Sequence, residues 1–301
     1  MLQMIFNEGT FSMGFDLATP ILLCALGGAV CNNAGNFNIA LEGFMLIASF
    51  FGVVGAFFLK STLVGILFAI ASGFLIAVIY GLFRSRFKAH EIILGFGFNM
   101  FSIAFTGWML VPILGGRGSF YNPATPSLSK ISIPLIRSIP FIRILSNHNI
   151  IVYLSWLLIP LLYILIYRMP FGFKIRALGQ EPEILRVNGL NPNKYFYFSE
   201  AIAGILCGLA GAFLSIGNLS MFTENMTAGR GFIAVAAIVF ANGYIPTVGL
   251  ISIVFGIASA IAIQLQGLGM PTELIDMTPY VLTIIMLVLT LLKKKPGQLT
   301  N

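Results

Sequence analysis

Residues 61–83 read STLVGILFAIASGFLIAVIYGLF and are followed at once by Arg84-Ser-Arg86-Phe-Lys88. The run holds no Asp, Glu, Lys or Arg, and it is long enough to cross roughly 30 Å of hydrocarbon, which takes about 20 apolar residues as a helix. Helices satisfy their own backbone hydrogen bonds in lipid, so they, rather than barrel strands, fit a run of this kind. Working outward, the stretches Leu17 to Leu41, Ile92 to Gly116, Ile144 to Tyr167 and Ala201 to Thr223 are equally free of charge, and Gly231 to Thr272 has room for two spans. Over 301 residues the chain is 58% hydrophobic and 9% charged, against roughly 25% charged in soluble domains. The fold class read here is all-α: a polytopic membrane protein of about nine transmembrane helices (8 to 10), residues 1–301 forming one domain.

The net charge of +7 would point to nucleic acid on a soluble chain. In a membrane protein it reports basic loops on the cytoplasmic side, so no nucleic-acid partner is expected. Three basic clusters set the topology: Arg84, Arg86 and Lys88; Arg168, Lys174, Arg176, Arg186 and Lys194; and Lys293 to Lys295. Spans near 17 to 32, 38 to 59, 62 to 83, 92 to 112, 149 to 167, 196 to 216, 230 to 243, 247 to 266 and 278 to 292 place all three inside. The C-terminus is then cytoplasmic, and the N-terminus, with only Glu8 and Asp16, extracytoplasmic. The first basic residue is Lys60, so no cleavable signal is expected and the first span stays in the membrane. Cys24, Cys31 and Cys207 lie in apolar sequence and read as packing thiols.

Two loops stand out. The external loop 115–149 carries prolines at 123, 126, 134 and 140 with apolar patches between them, which predicts an ordered extracytoplasmic cap, either a docking surface or a plug. The cytoplasmic loop 171–194 contains Gly179-Gln-Glu-Pro-Glu-Ile-Leu-Arg-Val-Asn-Gly189. Pro182 suits a first helical turn, Glu181 and Glu183 complement its positive end, and Gly189 supplies a left-handed stop, so a helix of about two turns is predicted outside the membrane.

The stretch Gly35-Asn-Phe-Asn-Ile-Ala-Leu-Glu-Gly-Phe-Met-Leu-Ile-Ala48 resembles a signature of the permease subunits of ABC importers for branched-chain amino acids, ribose-type sugars and nucleosides. The matching positions are Asn38, Glu42, Gly43, Met45 and Leu46. Glu91, Gly95 and Asn99 are similar to the family's second landmark, and loop 171–194 is similar to its coupling helix. The chain departs from that pattern at Ile184 and Leu185, where relatives usually have two alanines. The order of features and the 115–140 loop look most like the nucleoside branch.

The resemblance implies a type II-like ABC importer permease in the bacterial inner membrane, forming half of a pathway for nucleosides. A ribose-like sugar or branched-chain amino acid is the alternative solute. It implies a separate ATPase subunit that binds ATP and Mg, a second related permease making a heterodimer, and an extracytoplasmic substrate-binding (lipo)protein. Gly179, Gln180, Glu181, Pro182, Glu183, Arg186 and Gly189 are then the ATPase-coupling candidates.

The chain itself has no Gly-x-x-x-x-Gly-Lys-Ser/Thr loop and no His, Cys or carboxylate cluster at metal or catalytic spacing, so neither enzyme activity nor a cofactor is expected in it. His90 and His148 sit at span edges and read as solvated. An ion-coupled carrier is the alternative of another class, disfavoured because most carboxylates lie near span ends. Asn38, Glu42, Gly43 and Asn99 are the pore or helix-break candidates, and for Glu42 both roles stay open, pore lining or bracing a break made by Gly35 and Gly43. Glu200 and Glu224 fall at predicted ends, where solvent could reach them. Gly35-Asn36 followed by Glu42 matches Gly217-Asn218 followed by Glu224 at equal spacing. Opposite membrane sides would make this an inverted repeat, though so few positions also match by coincidence. Gly204, Gly208 and Gly211 read as close-packing positions.

Overall fold

The computed structural model describes residues 7–131 and 142–266. In chain order the helices are α1 (Glu8–Asn33), α2 (Leu41–Leu59), α3 (Thr62–Arg86), α4 (Glu91–Met109), α5 (Ile150–Tyr167), α6 (Pro170–Gln180), α7 (Pro182–Val187), α8 (Pro192–Ala212), α9 (Arg230–Phe240) and α10 (Ile245–Gln266). Four short strands accompany them: β1 (Ser119–Tyr121), β2 (Lys130–Ile131), β3 (His148–Asn149) and β4 (Met221–Thr223). Among the described residues seven helices are long and apolar enough to cross a membrane. The predicted span 278 to 292 and Lys293 to Lys295 lie outside the described residues.

Three boundaries differ from the sequence reading. α1 starts at Glu8, not near 17, because the Asn7 side chain caps it, accepting from the Thr10 amide at 2.8 Å. The span read as 38 to 59 starts at Leu41, leaving Asn38 in an irregular segment of residues 34–40. The span read as 230 to 243 is the 11-residue α9, about 16 Å long and too short to cross. Apolar content alone does not show that the residues ahead of it are coil.

α1 and α2 form the centre, with residues 18–31 of α1 buried on every side, as an all-round apolar helix requires. α3, α4 and α5 are outer helices, each with a face of exposed large apolar side chains such as Leu63, Leu67, Ile93, Leu157 and Leu161. With no hydrophobic drive between helices in lipid, contact depends on close backbone approach. A Cβ on Gly204 would stand 2.4 Å from the Gly73 oxygen, one on Gly208 2.7 Å from the Ile70 Cα, and one on Gly211 2.6 Å from the Met45 oxygen. These are the roles read for the three glycines. On the other side of the molecule a Cβ on Gly256 would lie 2.5 Å from the Ala18 Cα.

α8 thus crosses α3 as α10 crosses α1: the first long helix of each half packs on the third helix of the other. The same reciprocity follows from any two-fold repeat, parallel or inverted. Glu42 and Glu224 nevertheless reach different surroundings, the first buried and the second exposed.

At the face opposite the basic one, β1 pairs antiparallel with β4, and β2 with β3. The outer ends of α4 and α8 unwind into π-helical turns, Leu110–Leu114 and Phe213–Leu219. The shifted register at the end of α8 leaves carbonyls that the 115–149 loop uses. Leu128 donates to the Ile216 oxygen at 3.1 Å, and Asn149 Nδ2 to the Gly217 oxygen at 2.8 Å. His148, read as solvated, is fully buried. Its ring nitrogens lie 2.7 Å from Asp16 Oδ1 and 2.9 Å from the Ile144 oxygen, and Phe15, Tyr153 and Trp156 surround the ring. The extra turns of α1 carry Asp16 and Phe15 over it. His90, the N-cap residue of α4, is exposed as read.

Candidate functional site

The irregular segment 34–40 begins where α1 stops. Gly35 takes φ +76, its amide donates to the Asn32 oxygen and the Asn36 amide to the Cys31 oxygen, both at 3.0 Å. This is a glycine-terminated Schellman end. The polar side chains that follow are all turned inward. Asn36 and Asn38 donate to the two oxygens of Glu200 on α8, the Asn38 bond measuring 2.7 Å, and Asn38 Oδ1 accepts from the Ala40 amide at 2.8 Å. Asn99 on α4 closes the far side: its Oδ1 accepts from the Gly43 amide at 2.8 Å and its Nδ2 donates to the Ile39 oxygen at 3.0 Å. A Cβ on Gly43 would meet Ser102 Oγ at 2.6 Å, so glycine allows this approach. Arg84 reaches Asn36 Oδ1 at 3.4 Å and Glu91 at 3.2 Å, tying in the ends of α3 and α4.

Asn38, Gly43 and Asn99 therefore meet in one network, together with Glu200, which the sequence reading set aside as an end residue. Glu200 is fully buried. Its position near the start of a long span looks solvated until the tertiary fold brings two asparagines onto it.

Glu42 does something else. Its carboxylate accepts from the Gly229 amide at 2.8 Å and from the Gly231 amide at 2.5 Å, capping the positive end of α9. Gly231 permits the contact, since a Cβ there would stand 2.5 Å from the Glu42 Cα. At its other end α9 is held by Asn33, whose Nδ2 donates to the Gly243 oxygen at 2.8 Å. The element that Glu42 braces is thus a half-helix about 190 residues away in sequence, not a break made by Gly35 and Gly43. No local pattern near residue 42 carries that information.

On the basic face, α7 is a helix of six residues with Pro182 in its first turn, an exposed Glu183–Arg186 pair, and Gly189 at φ +70. The Gly189 and Leu190 amides donate to the Arg186 and Leu185 oxygens, each at 2.9 Å, another Schellman end. Leu185 is the buried anchor, whereas Ile184 is 48% and Val187 86% exposed. Gln180, Glu181, Pro182, Glu183 and Arg186 face solvent. Gly179, exposed like them, also touches the break: a Cβ there would stand 2.4 Å from the Asn33 oxygen and 2.8 Å from the Gly35 nitrogen. A cleft of about 420 Å³ elsewhere, between α3 and α4, is apolar. The cleft of about 300 Å³ beside Gly35, Asn36, Arg84, Gly179 and Arg186 is lined by polar and apolar groups alike and joins α7 to the break. Among the described residues no group of three or more His, Cys, Asp or Glu could hold a metal ion.

Comparison with known proteins places this geometry. The chain is 31% identical over 290 residues to the guanosine ABC transporter permease protein NupQ of Bacillus subtilis, covering 90% of this chain and 88% of that protein. It is 27% identical over 286 residues to the nucleoside ABC transporter permease protein NupC of Lactococcus lactis subsp. cremoris, covering 91% of this chain and 89% of that one. A chain in the structure titled "PsaBC from Streptococcus pneumoniae in complex with Fab" shares the fold at a TM-score of 0.51 and 16% identity, covering 90% of this chain and 89% of that chain. The family described as "Branched-chain amino acid transport system / permease component" matches residues 10–290. The chain is a member of that family.

Proposed function

We propose that this chain is one of two related permease subunits of an ATP-driven importer of nucleosides in the bacterial inner membrane, with its basic face in the cytoplasm and its N-terminus outside. The observation that carries the reading is the build of α7: a capped helix outside the spans, presenting Ile184 and Val187 to solvent beside an ion pair. Exposed apolar side chains on a water-facing helix mark a docking surface, here for an ATPase subunit that binds ATP and Mg. Gly179 carries motion of that surface to the break at Gly35. The 115–149 loop, fastened to the end of α8, is the surface offered to an extracytoplasmic binding protein, which supplies most of the solute discrimination.

Nucleosides are preferred to sugars because relatives at 31%, 27% and 25% identity are named for guanosine or nucleosides, against one at 28% named as a putative glucose permease. Uptake of labelled guanosine, adenosine and ribose by proteoliposomes holding the whole complex tests this. Ribose uptake that excess nucleoside fails to compete away would overturn the nucleoside assignment. Cysteines introduced in place of Glu183 or Arg186 should crosslink to the ATPase, and failure at both would overturn the coupling surface.

A further inference from the structure

We infer that Glu224 lines the translocation pathway and accepts hydrogen bonds from the hydroxyl groups of the passing solute, a deepening that rests on the nucleoside-importer reading. The case begins with depth. The Glu224 carboxyl carbon would lie 3.8 Å from a Cβ on Gly107, and Gly107 sits seven residues before Leu114, the outer end of that span, hence about 10 Å below the end at 1.5 Å per residue. The segment continues inward until Gly229 and Gly231 reach Glu42. Residues 220–229 are thus non-helical backbone within the thickness of the membrane.

Such backbone is tolerated only where protein or a water-filled cavity covers it. Glu224 adds a second constraint: it is exposed on the chain, and its carboxylate makes no hydrogen bond or ion pair among the described residues. A carboxylate at that depth facing lipid would be prohibitively costly, so this side of the molecule faces the pathway. The backbone here is also strained, with Ser220, Asn225 and Ala228 at φ +50, +53 and +46. Left-handed non-glycine residues of this kind concentrate at functional sites.

The face of α4 that runs inward from Glu224 narrows the ligand class. Phe96, Met100 and Gly107 recur at about one and three turns along one face of α4, and Phe96 and Met100 are 50% and 73% exposed. Phe96 stacks with Phe232 of α9, ring centroids 6.2 Å apart. The stripe therefore offers an acceptor at its outer end and flat apolar rings at its inner end. Phe96 lies eleven residues inward of Gly107, about 16 Å at 1.5 Å per residue, so a neutral solute carrying a polyol and an aromatic ring, as a nucleoside does, meets the two in succession: its ribose hydroxyls at Glu224, its base at Phe96 and Phe232.

The test uses the whole reconstituted importer with its binding protein saturated. Maximal uptake of guanosine and of 2′,3′-dideoxyguanosine is measured for the wild type and Glu224→Ala. Loss of hydrogen bonds to a charged acceptor should slow guanosine by about tenfold or more while changing the dideoxy analogue less than about twofold. Glu224→Cys, in the same complex, should react with a small polar thiol reagent, and more slowly while guanosine is being transported. An equal effect of Glu224→Ala on both solutes, or none, would overturn the inference. So would a thiol at position 224 that reacts in the isolated chain but not in the complex, since the second permease would then cover it. A wild-type complex that moves neither nucleoside would overturn the underlying function, and the thiol measurement would still decide whether position 224 faces the pathway.

Discussion

Among the described residues, irregular backbone separates buried helices at 34–40 and at 220–229, and the two interruptions are built in opposite ways. In the first, glycine takes the left-handed turn at Gly35, and Asn36, Asn38 and Asn99 find buried partners. In the second, Ser220, Asn225 and Ala228 take left-handed positions as well as Gly229, and Glu224 and Asn225 stay exposed. The first is a joint whose hydrogen bonds are used up in holding it. The second keeps polar groups free and is fastened at its ends, to β1 and to Glu42. Satisfied polar networks fix a geometry, whereas strained and open ones leave groups available to a ligand.

The contrast can be broken most severely at Glu42, the link between the two interruptions. Glu42→Ala leaves the Gly229 and Gly231 amides without their acceptor in a dry setting, at about 1–3 kcal/mol each. Thermal unfolding in detergent should fall by many degrees and uptake should be lost. A melting temperature within one or two degrees of wild type would show that the half-helix does not depend on this cap. Glu200→Gln is the intermediate case, since one oxygen still accepts while the new amide faces an asparagine amide. A loss of about 1–2 kcal/mol is expected, and replacing Asn38 by Asp in the same chain should add less than it costs alone, because the two positions share one bond. Strict additivity in that double-mutant cycle would separate them. The smallest effect has the opposite sign: Ala228→Gly removes a left-handed alanine and should stabilise by up to about 1 kcal/mol. Destabilisation would mean that the second interruption is not strained at that residue.

Much of this architecture is local and so can be read from sequence. Residues 61–83 announce a span by length and lack of charge, and α7 carries its start and stop in Pro182 and Gly189. What sequence reasoning misses depends on distant partners. The 230–240 stretch is apolar enough for a span, and only the coil ahead of it and the Glu42 cap make it a half-helix. His148 looks like an edge residue until α1 brings Asp16 and Phe15 over it. Glu200 reads as an end residue because its two asparagine partners sit more than 160 positions earlier. Asn38, Gly43 and Asn99 are legible as a group from the resemblance, while the non-helical backbone at 220–229 leaves no local pattern beyond the match of Gly217, Asn218 and Glu224 to Gly35, Asn36 and Glu42.

The glycine crossing of α3 and α8 ties the protein to the lipid around it. α3 has 25 residues and the span Pro192–Gly217 has 26, so each is about 37–39 Å long at 1.5 Å per residue, against about 30 Å of hydrocarbon. Helices of that length meet a bilayer by tilting. Because the Gly73 and Gly204 backbones touch, neither helix can change its tilt alone, and α8 carries Glu200 with it. A change of acyl-chain length that altered the tilt of one helix would therefore load the joint at residues 34–40 through geometry, and turnover measured in lipids of different thickness is where that coupling would show.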